Sequence, residues 1–245
     1  MTQTRAASKI DKYLRTRAMI SPWQLAGCQS REFQAAIIIP ALDEAESLPK
    51  TLLSLEKNPS ELLRKTLIIV VVNNRTSASR EQKSQNQCTL LWLQGRPCSD
   101  LNLAWVDAAS AGFELPEKDG VGLARKIGFD LALGRLNWAD QPVLISLDAD
   151  TLVDENYLRE ILNHFQTNPC AAVYLPFRHQ SGDSLAQESA IRNYELYLRS
   201  YQFGLNWAGS PYAFISIGSA LACRGQAYVA AGGMKRKQAG EDFYF

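Results

Sequence analysis

What this chain lacks is the first guide to it. It has no excess of either charge: 26 Lys and Arg stand against 25 Asp and Glu, a net charge of +1. A binder of nucleic acid normally shows a basic surplus or stripe to meet the phosphates, so no nucleic-acid partner is expected. It has no long apolar run. The longest candidates, Ala36 to Ile39 and Leu67 to Val72, are strand-length, far below the roughly 20 residues that a membrane-spanning helix needs. The N-terminus is polar and mixed, without the pattern of a secretory signal. Five cysteines (Cys28, Cys88, Cys98, Cys170, Cys223) are scattered with no C-x-x-C pair. That argues against a zinc site or a disulfide frame and for reduced thiols in a cytoplasmic protein. There is no internal repeat and no low-complexity linker. What is present is ordinary: 46% hydrophobic and 21% charged residues over 245 positions, enough to bury a real core.

Residues 1–34 read as an N-terminal helical extension, with Ile10, Tyr13, Leu14 and Met19 spaced among Lys9, Lys12, Arg15 and Arg17. A basic helix of this kind leaves room for peripheral membrane contact, although a solvated face packed on the domain is the simpler expectation. From Ala35 the pattern alternates strand and helix. Strands are predicted over Ala35 to Pro40, Leu67 to Val72, Leu101 to Val106, Val143 to Leu147 and Ala171 to Leu175. Helices are predicted with Leu48, Leu52 and Leu55 on one face, and over Ser79 to Leu93, Gly122 to Leu133 and Glu155 to Phe165. Such alternation means an α/β fold with a mostly parallel central sheet flanked by helices. After Pro176 the pattern loosens into an amphipathic helix, Leu185 to Tyr201, and an aromatic, glycine-dotted stretch from Phe203 to Phe214.

Chemistry gathers where strands end. In LISLDADTL an apolar strand stops abruptly in Asp148 and Asp150, which as strand neighbours two apart would point the same way. Two anions held so close repel unless a cation lies between them, and hard oxygen ligands suit Mg²⁺ or Mn²⁺ with a diphosphate completing the shell. A surface turn with Asp148 capping the next helix is the plain alternative. A second acidic pair, Asp43-Glu44, follows the opening strand, and a third, Glu241-Asp242, lies at the C-terminus.

In order, Pro40-Ala41-Leu42-Asp43-Glu44, Ala124-Arg125-Lys126-Ile127-Gly128, Asp148-Ala149-Asp150, then Gly218, Ser219, Arg224, Gly232 and Gly233, and finally Glu241-Asp242 resemble the motifs of family 2 glycosyltransferases. Those motifs read P-x-x-N-E, A-R-N-x-G, D-x-D, G-S-x-x-x-x-R…G-G and E-D. The resemblance runs from about Ala35 to the last residue and implies the GT-A nucleotide-diphospho-sugar transferase fold for a catalytic domain over 35–245. It departs at Asp43, which stands for Asn. It departs again at Asn73 and Asn74, where many relatives carry acidic residues. The chain also ends three residues past Asp242, where relatives normally continue, so a C-terminally truncated catalytic domain is expected.

By this resemblance the chain is a metal-dependent inverting hexosyltransferase. Asp150 would ligate Mg²⁺ or Mn²⁺ directly, with Asp148 contacting the ribose or the metal through water. Pro40, Asp43, Glu44, Asn73 and Arg125 would hold the donor, a UDP-sugar in preference to a GDP-sugar. Asp242 would be the general base toward an acceptor glycan, lipid or small molecule, and Glu241 would raise its basicity or orient the acceptor. His179 would reach the cleft only as an extra metal ligand, and His164 reads as structural. A catalytically impaired nucleotide-sugar-binding domain and a nucleotidyltransferase of related fold are the competing expectations. Against the latter, the glycine-rich signature that such enzymes carry after the first strand is missing.

Overall fold

The computed structural model describes residues 2–96, 101–238 and 240–245; the expectation for Cys98 lies outside them. The chain runs α1 (Thr2–Thr16), β1 (Ala26–Gly27), β2 (Ala35–Ala41), α2 (Leu48–Glu56), α3 (Ser60–Leu63) and β3 (Thr66–Asn73). It continues with α4 (Arg80–Gly95), β4 (Asn102–Ala108), α5 (Val121–Ala132), β5 (Val143–Ser146), α6 (Tyr157–Thr167) and β6 (Ala172–Tyr174). It closes with α7 (Leu185–Trp207), β7 (Leu221–Arg224), α8 (Gly225–Ala231) and α9 (Glu241–Tyr244).

One sheet holds all these strands in the order β1-β4-β3-β2-β5-β7-β6. β4, β3, β2 and β5 are parallel, while β1 and β7 run antiparallel to their neighbours. The β-branched run of β3 and the apolar run of β2 are buried along their whole length, as expected of strands covered on both faces. Alternation divides them between two cores. Ala36, Ile38, Leu67, Ile69 and Val71 pack with Leu123, Ile127 and Phe129 of α5. Ile37, Ile39, Ile68 and Val70 pack with Leu52 of α2, Leu90 of α4 and Leu158 of α6. Gly128 lets α5 come down onto the sheet, since a Cβ there would sit 2.6 Å from Ile38 Cγ2.

Residues 2–34 contain the expected helix, and they are anchored. Asp130 of α5, 1% exposed, accepts from the hydroxyls of Tyr13 (2.7 Å) and Tyr228 (2.9 Å) and from the Met19 amide (2.7 Å). Lys126 pairs with it at 2.9 Å. This satisfied network fixes α1 against α5 and α8, and β1 extends the sheet edge beside β4.

The topology places the chemistry. The chain moves from β2 through β3 to β4 and then returns to the other side of β2 to lay down β5. That reversal opens a crevice between the C-terminal ends of β2 and β5, the usual ligand position in such sheets. The β5 pairing stops at Ile38↔Ser146. Pro40 therefore has no β5 residue opposite it, which makes a proline tolerable in a central strand.

Candidate active site

The crevice brings together two of the three acidic pairs and joins the third to them. Asp43 and Glu44 follow β2; Asp148 and Asp150 follow β5. Asp43 has a left-handed backbone, φ 63°, a conformation that Asn, Asp and Gly tolerate best, which accounts for Asp in the place of Asn. Its amide donates to Asn86 Oδ1 at 3.0 Å, and Asn86 Nδ2 donates in turn to Asn73 O (3.0 Å) and Asn74 Oδ1 (2.8 Å). Asn86, buried on α4, thus holds the turn that presents Asp43 and Glu44. Its only sequence signal is its place one turn before Leu90 on the buried stripe.

Asp148 and Asp150 lie in the turn beyond β5 rather than in the strand, so strand alternation does not orient them. Asp148 is half-buried, its side chain 35% exposed, and is paired with Arg125; Asp150 is exposed. Burial pushes the Glu44 carboxyl above its usual range, and the charges of Asp150, Asp148 and Asp43 push the same way, while a hydrogen bond with Ser47 opposes them. Asp43, Asp148 and Asp150 are thus near enough for their charges to disfavour the ionised form of Glu44. No group of three or more metal-ligating side chains forms a ready cage among the described residues. This donor set, all oxygen and incomplete alone, fits a Mg²⁺ or Mn²⁺ ion that shares its shell with diphosphate oxygens.

Arg125 is the surprise of the site. It lies one turn into α5 and is almost wholly buried. Its guanidinium pairs with Asp148 on one side and with Glu241 on the other, forming charge-assisted bonds. Glu241 is itself 2% exposed. Gly218, at the start of the G-S segment, lies against this guanidinium, and a Cβ there would collide with it. The C-terminal acidic pair is thus tied to Asp148 by one cation. Asp242 stays half-buried at the start of α9, with Oδ1 accepting from the Phe243 amide at 2.7 Å. The segment leading to α9 is latched over the N-terminus of α5 by Arg236–Asp119 (2.5 Å) and by the Gly122 amide to Lys237 O (3.1 Å).

Other expected residues have different tasks. Asn73 is buried, and its Nδ2 is spent on Ala41 O (3.2 Å) and Val71 O (3.0 Å). Pro40 is buried inside β2. His179 turns to α7, its amide donating to Glu195 Oε1 at 2.7 Å and its Nδ1 lying 3.2 Å from the same oxygen. That amide, with Arg192 alongside, holds the Glu195 carboxyl down at about 2. His164 is exposed at the end of α6. Gln180, unsignalled in the sequence, donates to Asp150 O at 2.9 Å. The helix predicted to end at Tyr201 runs on to Trp207. Its Phe203–Trp207 ring pair, at i, i+4, falls in the stretch read as irregular.

The resemblance read from the motifs is borne out: residues 111–225 match the family described as glycosyl transferase family 2. That segment holds Arg125, Asp148, Asp150 and Gly218 and stops short of both outer acidic pairs. No curated protein matches the chain in sequence. Among solved structures, S. aureus TarS 1–349 is similar with a TM-score of 0.54 and 13% identity, over 86% of this chain and 53% of that one. A second S. aureus TarS structure gives 0.51 and 13%, over 86% and 32%. Mannosyltransferase PcManGT from Pyrobaculum calidifontis, in complex with GDP-Man and Mn²⁺, gives 0.53 and 17%, over 98% and 59%. The chain spans about half the length of TarS 1–349. The fold is that of the GT-A glycosyltransferases, with its sheet parallel at the centre.

Proposed function

From a glycosyl transferase family 2 segment set in a GT-A fold, we propose that this chain moves a sugar from a nucleotide-diphosphate donor to an acceptor hydroxyl, with inversion at the sugar. The catalytic domain is 35–245, with 1–34 seated on it. The reading is carried by one observation: the acidic turns after β2 and β5 meet at the topological switch point, and Arg125 ties Glu241 to Asp148 there. A mannosyltransferase of this fold holding GDP-Man and Mn²⁺ supports a nucleotide-sugar donor, UDP- or GDP-linked, and a divalent ion.

In this reading Asp150 and Asp148 would hold Mg²⁺ or Mn²⁺, which when bound would offset the charge that develops on the leaving diphosphate. Glu44 and Asp43 line the nucleoside side of the crevice on a turn pinned by Asn86. Arg125 keeps Asp148 and Glu241 in place without itself being exposed to solvent. Asp242, with Oδ1 taken by the Phe243 amide, uses Oδ2 to accept the proton of the acceptor hydroxyl as that oxygen attacks the anomeric carbon. The acceptor is a glycan, a lipid or a small molecule. The scattered thiols accord with a cytoplasmic setting. No described helix is long and apolar enough to cross a membrane.

The test is proton NMR of transfer or donor hydrolysis, run with UDP- and GDP-hexoses in the presence of Mn²⁺. The expected first product has the anomeric configuration opposite to that of the donor. Asp242→Asn is expected to slow turnover at least ~10²-fold, as for loss of a general base, while nucleotide affinity holds. A retained configuration, or an unaffected rate in Asp242→Asn, contradicts the assignment.

A further inference from the structure

The pair Gly232-Gly233, where the chain leaves α8, is left-handed at both residues, φ 84° and 79°, a backbone that glycine adopts without steric cost. What packs against it comes largely from the N-terminal residues. A Cβ on Gly233 would collide with the Tyr13 hydroxyl and stand 2.9 Å from Lys126 Nζ, and one on Gly232 would stand 2.5 Å from Arg17 Nη1. Tyr13 lies on α1 and Arg17 just beyond it. The turn is thus fitted to 1–34, and from it the chain runs on to the Glu241-Asp242 pair.

Tyr13 is the centre of this contact. Its hydroxyl donates to Asp130 (2.7 Å) and accepts from Lys126 Nζ (2.8 Å), and the same ammonium lies 5.2 Å from the centre of its ring. Lys126 stands where the family motif has Asn, next to Arg125 on α5, so this departure is matched to a tyrosine that 1–34 supplies. Tyr13 also sets its ring edge-on to Tyr228, 5.9 Å between centres. Tyr228 O accepts from the Gly233 amide at 3.0 Å, and its ring meets Phe245, 5.7 Å away, beyond α9. Both ends of the stretch that carries Glu241 and Asp242 therefore rest on residues that Tyr13 touches. A helix that only covered the core could do so with Phe at this position; it is the hydroxyl that reaches Asp130, Lys126 and Gly233.

We propose that Tyr13 is a positioning residue for Asp242: through its hydroxyl, 1–34 sets the Gly232-Gly233 turn and with it the place of the Glu241-Asp242 pair. That Asp242 acts on an acceptor hydroxyl rests on the transferase reading above. Arg125 fixes Glu241 directly; Tyr13 fixes the turn from which that segment departs.

Tyr13→Phe keeps the ring and removes the hydroxyl. In this variant hydrogen exchange, read by mass spectrometry, is expected to quicken about tenfold across 232–245 and to stay unchanged across β3. Nucleotide release from UDP- or GDP-hexoses with Mn²⁺, measured well below the melting temperature, is expected to fall about tenfold in kcat from misplacement of the base, with nucleotide affinity unchanged. A merely structural role would lower the rate equally with or without Asp242. In the Asp242→Asn background Tyr13→Phe is instead expected to cost less than about twofold, since residues that act through one another are non-additive. Arg17→Ala, at an exposed position that does not put the fold at risk, is expected to change exchange and kcat in the same direction by less. Unchanged exchange across 232–245, an unaffected kcat, or equal losses in both backgrounds overturns the proposal. Faster exchange there in a chain whose parent releases no nucleotide from any donor upholds Tyr13 as the residue that holds the turn and tells against the transferase reading.

Discussion

Arg125→Ala is expected to cost the fold about 3–5 kcal/mol, the loss typical when one partner of a buried ion pair is removed. Glu241 would then hold a charge at 2% exposure with its cation gone. Asp148 can still reach water, so the main penalty falls on the Glu241 side. For a chain of this size the melting temperature should fall by roughly 10 °C. The decisive comparison is the pair Arg125→Met with Glu241→Gln, which removes both charges and keeps most of the volume. It is expected to recover more than about half of the loss, because coupled sites are strongly non-additive. If the double variant is as unstable as the sum of the singles, Arg125 and Glu241 are not acting as a pair.

The second large effect is on chemistry alone. Asp150 is exposed, and its carboxylate makes no ion pair among the described residues. Asp150→Ala should therefore fold and melt like the parent. Its sugar transfer is expected to fall about 10³-fold, since a Lewis acid that offsets the leaving-group charge is worth several kcal/mol. Excess Mn²⁺ should recover only part of the rate. Activity within a few fold of the parent, measured by release of nucleotide, would remove Asp150 from the site.

The contrast between these two aspartate-linked residues shows how much was legible in the residues themselves. Strands β2, β3 and β5 declare themselves through dense apolar runs. Helices α2 and α5 do so through leucine and isoleucine spacing, because both signals are local. The acidic turns are legible for the same reason, as each interrupts such a run. The inward turn of Arg125 is not, because its partners stand 23 and 116 residues away. Asn86 is hidden in the same way, since a polar residue on a helix stripe says nothing of the turn it will hold. Strand β7 is four residues long and gains its meaning only by slotting antiparallel between β5 and β6. Helix α7 outruns its expected end because Gly204 and the aromatic residues around it read as irregular. The i, i+4 contact of Phe203 with Trp207 is what the spacing concealed.

Asp148 and Asp150 are close in sequence but differ in situation. One is tied to the buried guanidinium; the other is exposed and makes no ion pair among the described residues. The most direct test is thermal unfolding of the chain with UDP, GDP, CMP and their sugars, each with and without Mn²⁺. A ligand that binds only the folded state raises the midpoint, by about 2.7 kcal/mol of stability at a hundredfold excess over its dissociation constant. The predicted result is a rise with a UDP or GDP ligand that requires Mn²⁺ and disappears in Asp150→Ala. Cooperative melting with no shift from any nucleotide, or a shift indifferent to both metal and Asp150, would contradict the assignment of this crevice as a nucleotide-sugar site.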